Sequence, residues 1–159
     1  MNKFRWAVFV VVLITVLIYY RHPYVFPSRV SGGVGSTRHV KTKLSPEAYY
    51  VMYEAGTERP FSSALDYETR KGTYVSADTD LPLFRSEDKF DSGTGWPSFT
   101  KPISKESVIL KDDELLGVSR TEVLTADTHA HLGHVFDDGP PPLGKRWCLN
   151  GVALRFIPD

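Results

Sequence analysis

From Gly72 onward, short β-prone runs alternate with turn residues, and no long amphipathic helix separates them. The runs are Thr73–Val75, Leu81–Arg85, Val108–Leu110, Leu115–Val118, Arg120–Leu124, Val135–Phe136, Trp147–Leu149 and Val152–Ile157, with Gly or Pro in nearly every gap. Parallel neighbours need a crossover of a dozen or more residues, usually helical, so this pattern restricts the chain to antiparallel pairing. The expected architecture is mainly β, an antiparallel sandwich or barrel. A short N-terminal helical part should lead into it. Ser45 can cap, Pro46 suits the first helical position, Glu47 favours the positive end of the helix dipole, and Gly56 follows as a stop.

The 159 residues divide unevenly before that point. Trp6–Tyr20 carries no charge, is preceded by Lys3 and Arg5, and is closed by Arg21 and His22. Residues 1–21 therefore read as one N-terminal membrane segment. Interfacial Trp6, Tyr19 and Tyr20 and snorkelling arginines extend a run slightly short for a bilayer core. A signal peptide is the alternative, although no small-residue cleavage site follows directly. The basic start favours an inside N-terminus and an exported domain, on the periplasmic side if the source is bacterial; signal cleavage would instead release it as a secreted protein. Residues 22–43, with Pro23, Pro27, Gly32, Gly33 and Gly35, read as a flexible linker. The folded domain should occupy 44–159.

Charge and cysteine content remove several function classes. Nineteen basic residues balance nineteen acidic ones, which argues against nucleic acid as a partner. The single cysteine, Cys148, excludes internal disulfides and cysteine-type zinc cages. Cys148 stands out for its setting: in a strand, Arg146, Cys148 and Asn150 share one face while Trp147 and Leu149 take the other. A thiol on the polar face beside a permanent cation is disposed towards thiolate, the nucleophilic form.

Two further stretches carry chemistry. His129, His131 and His134 fall within six positions. His131 and His134 would point to opposite faces of a regular strand, but Gly133 permits a bulge that brings them to one side. They offer proton transfer near neutral pH or, in a rival reading, metal ligation for a hydrolase. In Phe90–Phe99, Gly93 and Gly95 constrain a loop that presents Trp96 as an apolar grip.

Taken in order, GTERPF (Gly56–Phe61), Pro82–Phe84, KFDSGTGWPSF (Lys89–Phe99), RTEV (Arg120–Val123), AHLGHVFDDGP (Ala130–Pro140), GKRWCLN (Gly144–Asn150) and ALRF (Ala153–Phe156) resemble the B-type methionine sulfoxide reductases over essentially the whole domain. The resemblance implies a fold of two antiparallel β-sheets with a helical N-terminal part, and the protein-repair reduction of methionine-R-sulfoxide in oxidised proteins. It implies that Cys148 attacks the sulfoxide sulfur and becomes a sulfenic acid, that His131 and His134 supply protons or orient groups, and that Asp138, Arg146 and Asn150 order the thiolate and nearby water. Trp96 and Phe136 match the wall that receives the sulfoxide's methyl group. Many relatives hold zinc in two Cys-x-x-Cys pairs; here those positions read Ser76–Thr79 and Thr125–Thr128 without a thiol, so zinc is expected to be absent. Thr94 occupies the usual place of a resolving cysteine. An external thiol, whether thioredoxin, glutaredoxin or a small molecule, must then reduce the sulfenic acid. The third reading, outside catalysis, is a membrane-tethered binding module.

Overall fold

A computed structural model describes residues 44–115 and 118–159. The proposed membrane segment and linker, residues 1–43, lie outside these; among the described residues no helix is long and apolar enough to cross a membrane.

Helix α1 (Pro46–Tyr53) starts as expected: Ser45 is its cap, and its hydroxyl accepts the Ala48 N–H at 3.0 Å. Its end differs from expectation. The left-handed residue is Ala55, at φ 52°, and Gly56 follows it with its N–H donated to the Tyr50 carbonyl at 3.2 Å. A Cβ on Gly56 would lie 2.3 Å from the Tyr50 ring, which would have to turn aside.

Among the described residues, nine strands form two antiparallel sheets. The smaller joins β1 (Gly72–Ser76), β2 (Pro82–Arg85) and β9 (Leu154–Pro158) in the order β2-β1-β9. The larger joins β3 (Lys89–Phe90), β4 (Ser98–Phe99), β5 (Val108–Leu115), β6 (Val118–Thr125), β7 (His131–Phe136) and β8 (Arg146–Leu149) in the order β3-β4-β8-β7-β6-β5. Two strand expectations need correction. Leu115–Val118 is not one strand: Leu115 ends β5 and Val118 opens β6, the two paired with each other, so the charged Lys111–Glu114 belongs to β5: cross-strand pairing overrides the weak strand propensity of a polar run. Val152–Ile157 is likewise split, a single 3₁₀ turn (Gly151–Ala153) preceding β9.

An aromatic joint fastens the sheets together. Phe99 of the larger sheet stacks on Phe84 at 4.6 Å and meets Tyr74 edge-on at 4.8 Å, both from the smaller sheet. All three are fully buried, and such pairs add roughly 0.5–1.5 kcal/mol each beyond their buried area. Val51 and Met52 of α1 complete this core with Leu132, Leu149 and Leu154.

Candidate active site

The site is built on the face of the larger sheet opposite Phe99. Its register aligns one row across five strands: Lys111 opposite Glu122, Glu122 opposite His134, His134 opposite Cys148, and Cys148 opposite Ser98. Directly opposed residues share a face, with Cβ atoms roughly 5 Å apart. The Cys148 thiol and the His134 imidazole thus rise side by side from neighbouring strands. Two positions along, Phe136 is opposite Arg146, and the guanidinium lies 4.4 Å from the ring centroid.

A bulge supplies the second histidine. Val123 is opposite Gly133 but Leu124 is opposite His131, so Leu132 is the extra residue. Leu132 goes into the core, and His131 joins His134 on the site face with ring centroids 5.4 Å apart. Gly133 allows this with φ 157° and a backbone approach no side chain permits: a Cβ would lie 2.1 Å from the Cys148 carbonyl oxygen.

Each imidazole has its own carboxylate. His131 Nδ1 is 2.7 Å from Glu122 Oε1, with both groups largely buried. Burial holds His131 below its ordinary pKa, and Glu122 only partly offsets that, so at neutral pH this ring is neutral. His134 Nε2 is 2.9 Å from Asp113 Oδ2, a carboxylate shared with Arg120. The hydrogen bonds from His134 and Arg120 lower the Asp113 pKa and keep it charged. Glu122 and Asp113 received no role from the sequence. The signal for Glu122 was available, since the RTEV match and strand alternation put it beside Arg120 on one face. The partner of Asp113 depends on hairpin register, which the sequence did not reveal.

Around the sulfur, the expected bias towards thiolate does not dominate. Burial raises the Cys148 pKa, and this outweighs the opposing effects of Thr94, Arg146 and Ser98. Thr94 Oγ1 is 3.9 Å from Sγ and belongs to a hydroxyl chain, with Ser92 Oγ at 2.8 Å from both Thr94 Oγ1 and Ser98 Oγ. Arg146 is clamped by Asp138 through two bonds of 2.9 Å, so Asp138 reaches the thiol only through Arg146. Asn150 is placed differently from the expectation that it orders the thiolate. Its Oδ1 accepts the Glu58 N–H and its Nδ2 donates to the Leu132 carbonyl, both at 3.0 Å.

Glu58 is a further residue the sequence left without a role. It is 3% exposed, and its carboxylate accepts the N–H groups of Gly151 at 2.5 Å and Val152 at 2.9 Å. Its carbonyl accepts Trp96 Nε1–H at 3.3 Å. One residue therefore ties the Trp96 loop to the end of β8. His129 is not gathered into the site but is exposed in the turn before β7 at φ 57°.

The residues at the positions of the relatives' zinc ligands do not fit zinc. Asp78, 6% exposed, accepts Ser76 Oγ–H, Tyr53 O–H at 2.7 Å and Thr128 Oγ1–H at 2.8 Å, and Thr125 Oγ1 lies 2.9 Å from Thr128 Oγ1. Burial pushes the Asp78 pKa up, but the three donors outweigh it and hold it below its usual value. Hydroxyls bonded to one carboxylate are not the nitrogen and thiolate set that a structural zinc prefers. Among the described residues no group of three or more His, Cys, Asp or Glu is placed to hold a metal.

Comparison with known proteins agrees with this geometry. Residues 44–158 match the SelR domain. Over 116 residues the chain is 51% identical to a peptide methionine sulfoxide reductase MsrB of Methanosarcina barkeri, covering 73% of this chain and 82% of that protein. Over 118 residues it is 52% identical to one from Pseudomonas putida, covering 74% and 89%. It is also 46% identical over 123 residues to a peptide methionine sulfoxide reductase MsrA/MsrB of Vibrio cholerae, covering 77% of this chain and 32% of that longer protein. A lone thiol facing a histidine across paired strands, on a domain matched from end to end, makes this chain a member of the SelR family, the B-type methionine sulfoxide reductases.

Proposed function

We propose that the protein is a peptide-methionine (R)-S-oxide reductase, an oxidoreductase that repairs oxidised proteins. The observation that carries this is the juxtaposition of Cys148 with His134 across β7 and β8, within a family match covering the domain. The Cys148 thiolate attacks the sulfoxide sulfur. The sulfoxide S–O bond breaks, the cysteine sulfur gains that oxygen, one proton is taken up, and methionine and a sulfenic acid result. His134 supplies the proton to the oxygen. His131, neutral and held by Glu122, orients the oxygen by hydrogen bonding through Nε2. Arg146, fixed by Asp138, favours the thiolate that burial opposes, while Trp96 and Phe136 receive the methyl group. Asn150 and Glu58 fix the frame.

Regeneration falls to outside thiols, because the chain has one cysteine. A first thiol condenses with the sulfenic acid, releasing water and leaving a mixed disulfide. A second thiol displaces Cys148, so the two thiols end as a disulfide and supply the two electrons. Thioredoxin, glutaredoxin or a small thiol serves in this role, and no zinc is required. The apolar run at residues 6–20 and its basic flanks support an exported catalytic domain held at the membrane, or released if that segment is cleaved.

The test is dithiothreitol-driven reduction of a methionine-R-sulfoxide peptide by the wild type and by Cys148→Ser. The wild type should turn over and the folded variant should not; substantial activity in the variant would remove the nucleophile assignment.

A further inference from the structure

The segment Glu58–Phe61 borders the Trp96 loop at two points. The Glu58 carbonyl accepts the Trp96 indole N–H at 3.3 Å, and the Phe61 N–H donates to the Gly95 carbonyl at 2.7 Å. The Phe61 ring lies over Gly95: a Cβ on that glycine would come within 2.8 Å of it. Phe61 is nevertheless 57% exposed and adopts φ 62°, a left-handed conformation that is unfavourable for a bulky side chain. A large apolar ring is thus held in solvent, in a strained backbone, by a bond to the loop that presents the methyl-group wall. The core has no use for it there.

We propose that Phe61 is a specificity-determining residue, an apolar platform for the side chain that flanks methionine sulfoxide in a polypeptide substrate. The proposal rests on the reductase reading of the adjoining site. The surface continues that site, since Gly95 precedes Trp96, and the occupant is an apolar side chain beside the oxidised residue. A substrate consisting of one blocked methionine sulfoxide has no such side chain and does not reach Phe61.

The experiment compares N-acetyl-methionine-R-sulfoxide amide with a blocked pentapeptide carrying methionine-R-sulfoxide between leucines, for the wild type, Phe61→Ala and Phe61→Gly. Both variants should raise KM for the pentapeptide roughly tenfold, as loss of a buried aromatic contact does, leave its kcat unchanged, and leave both constants for the small substrate unchanged. Phe61→Gly should also melt no lower than wild type, because glycine tolerates the left-handed φ. Equal KM changes for the two substrates, or no change for the pentapeptide, would overturn the proposal. A wild type that reduces neither substrate would overturn the reductase reading itself, a distinct result.

Discussion

Replacing Gly133 with alanine tests whether β7 and β8 lie as close as the site requires. The new Cβ would stand 2.1 Å from the Cys148 carbonyl oxygen and 2.9 Å from the Leu149 Cα. Both are backbone atoms, so no side chain can turn aside. An ordinary carbon–oxygen contact needs roughly another 1 Å, and the strands must part by about that much from a normal spacing of ~4.8 Å. Two or three ladder hydrogen bonds then weaken, each contributing about 1 kcal/mol, and alanine must also adopt a φ that L-residues avoid. The total loss is about 3 kcal/mol, a fall in Tm on the order of 10 °C for a domain this size. The same displacement moves Cys148 away from His134, and a misplacement of ~1 Å costs about 100-fold in rate. Differential scanning calorimetry and single-turnover formation of the sulfenic acid measure the two effects separately. An alanine variant that melts within about 2 °C of wild type, or reacts within a factor of about two, would refute the close-approach argument.

Burial keeps Cys148 largely protonated at neutral pH, so the single-turnover rate should climb steadily from about pH 7 to 9; Arg146→Met should displace that rise to higher pH, and a flat profile would contradict the thiol's environment. Replacing His134 with Gln should slow sulfenic acid formation roughly 100-fold, the usual scale of general acid catalysis, and His131→Gln should cost less; equal, trivial effects would sink both assignments. Without reductant, one methionine should form per enzyme, and the product should trap with a sulfenic-acid reagent while mass spectrometry finds no internal disulfide. Asp78 has a folded pKa below its unfolded value of about 3.9, so the unfolded chain binds the proton first on acidification. Its stabilising contribution is complete above that value and disappears as pH falls through the folded pKa. Asp78→Ala, which takes the acceptor from the buried Ser76 hydroxyl and the half-buried Tyr53 and Thr128 hydroxyls, should lower stability by about 2 kcal/mol, whereas EDTA should leave the wild-type Tm unchanged; an EDTA-sensitive Tm would reveal a metal.

How much the sequence disclosed depended on how local the cause was. Ser45 capping, the left-handed Gly93 and Gly95 and the shared face of Arg146 and Cys148 follow from residues within a few positions of each other, and the structure has them. The bulge was legible as a possibility in Gly133, because a glycine between two histidines permits it. That Leu132 is the residue extruded depended on the register with β6. The partners of the histidines require long-range pairing: Asp113 is twenty-one positions from His134, in a polar run that carries little strand signal of its own. Glu58 reaches Gly151 across ninety-three positions, a contact that no periodicity encodes. The Cys148 environment departs from its sequence neighbourhood for a related reason. A neighbouring arginine is visible in sequence, but the desolvation that outweighs it comes from the surrounding strands and loops.

The hydroxyl and carboxylate cluster around Asp78 has a consequence for survival under attack. A clasp of four thiolates is itself a target of peroxide or hypochlorous acid and comes apart when its sulfurs are oxidised. The aliphatic hydroxyls and the carboxylate that stand at those positions carry no sulfur for such oxidants to take. The whole chain holds one cysteine and two methionines. Within residues 44–159, the sulfur atoms are those of Cys148 and of Met52, which is 2% exposed. Residues 44–159 thus offer such oxidants one accessible sulfur, and a sulfenic acid formed on it is the state that thiol reductants clear.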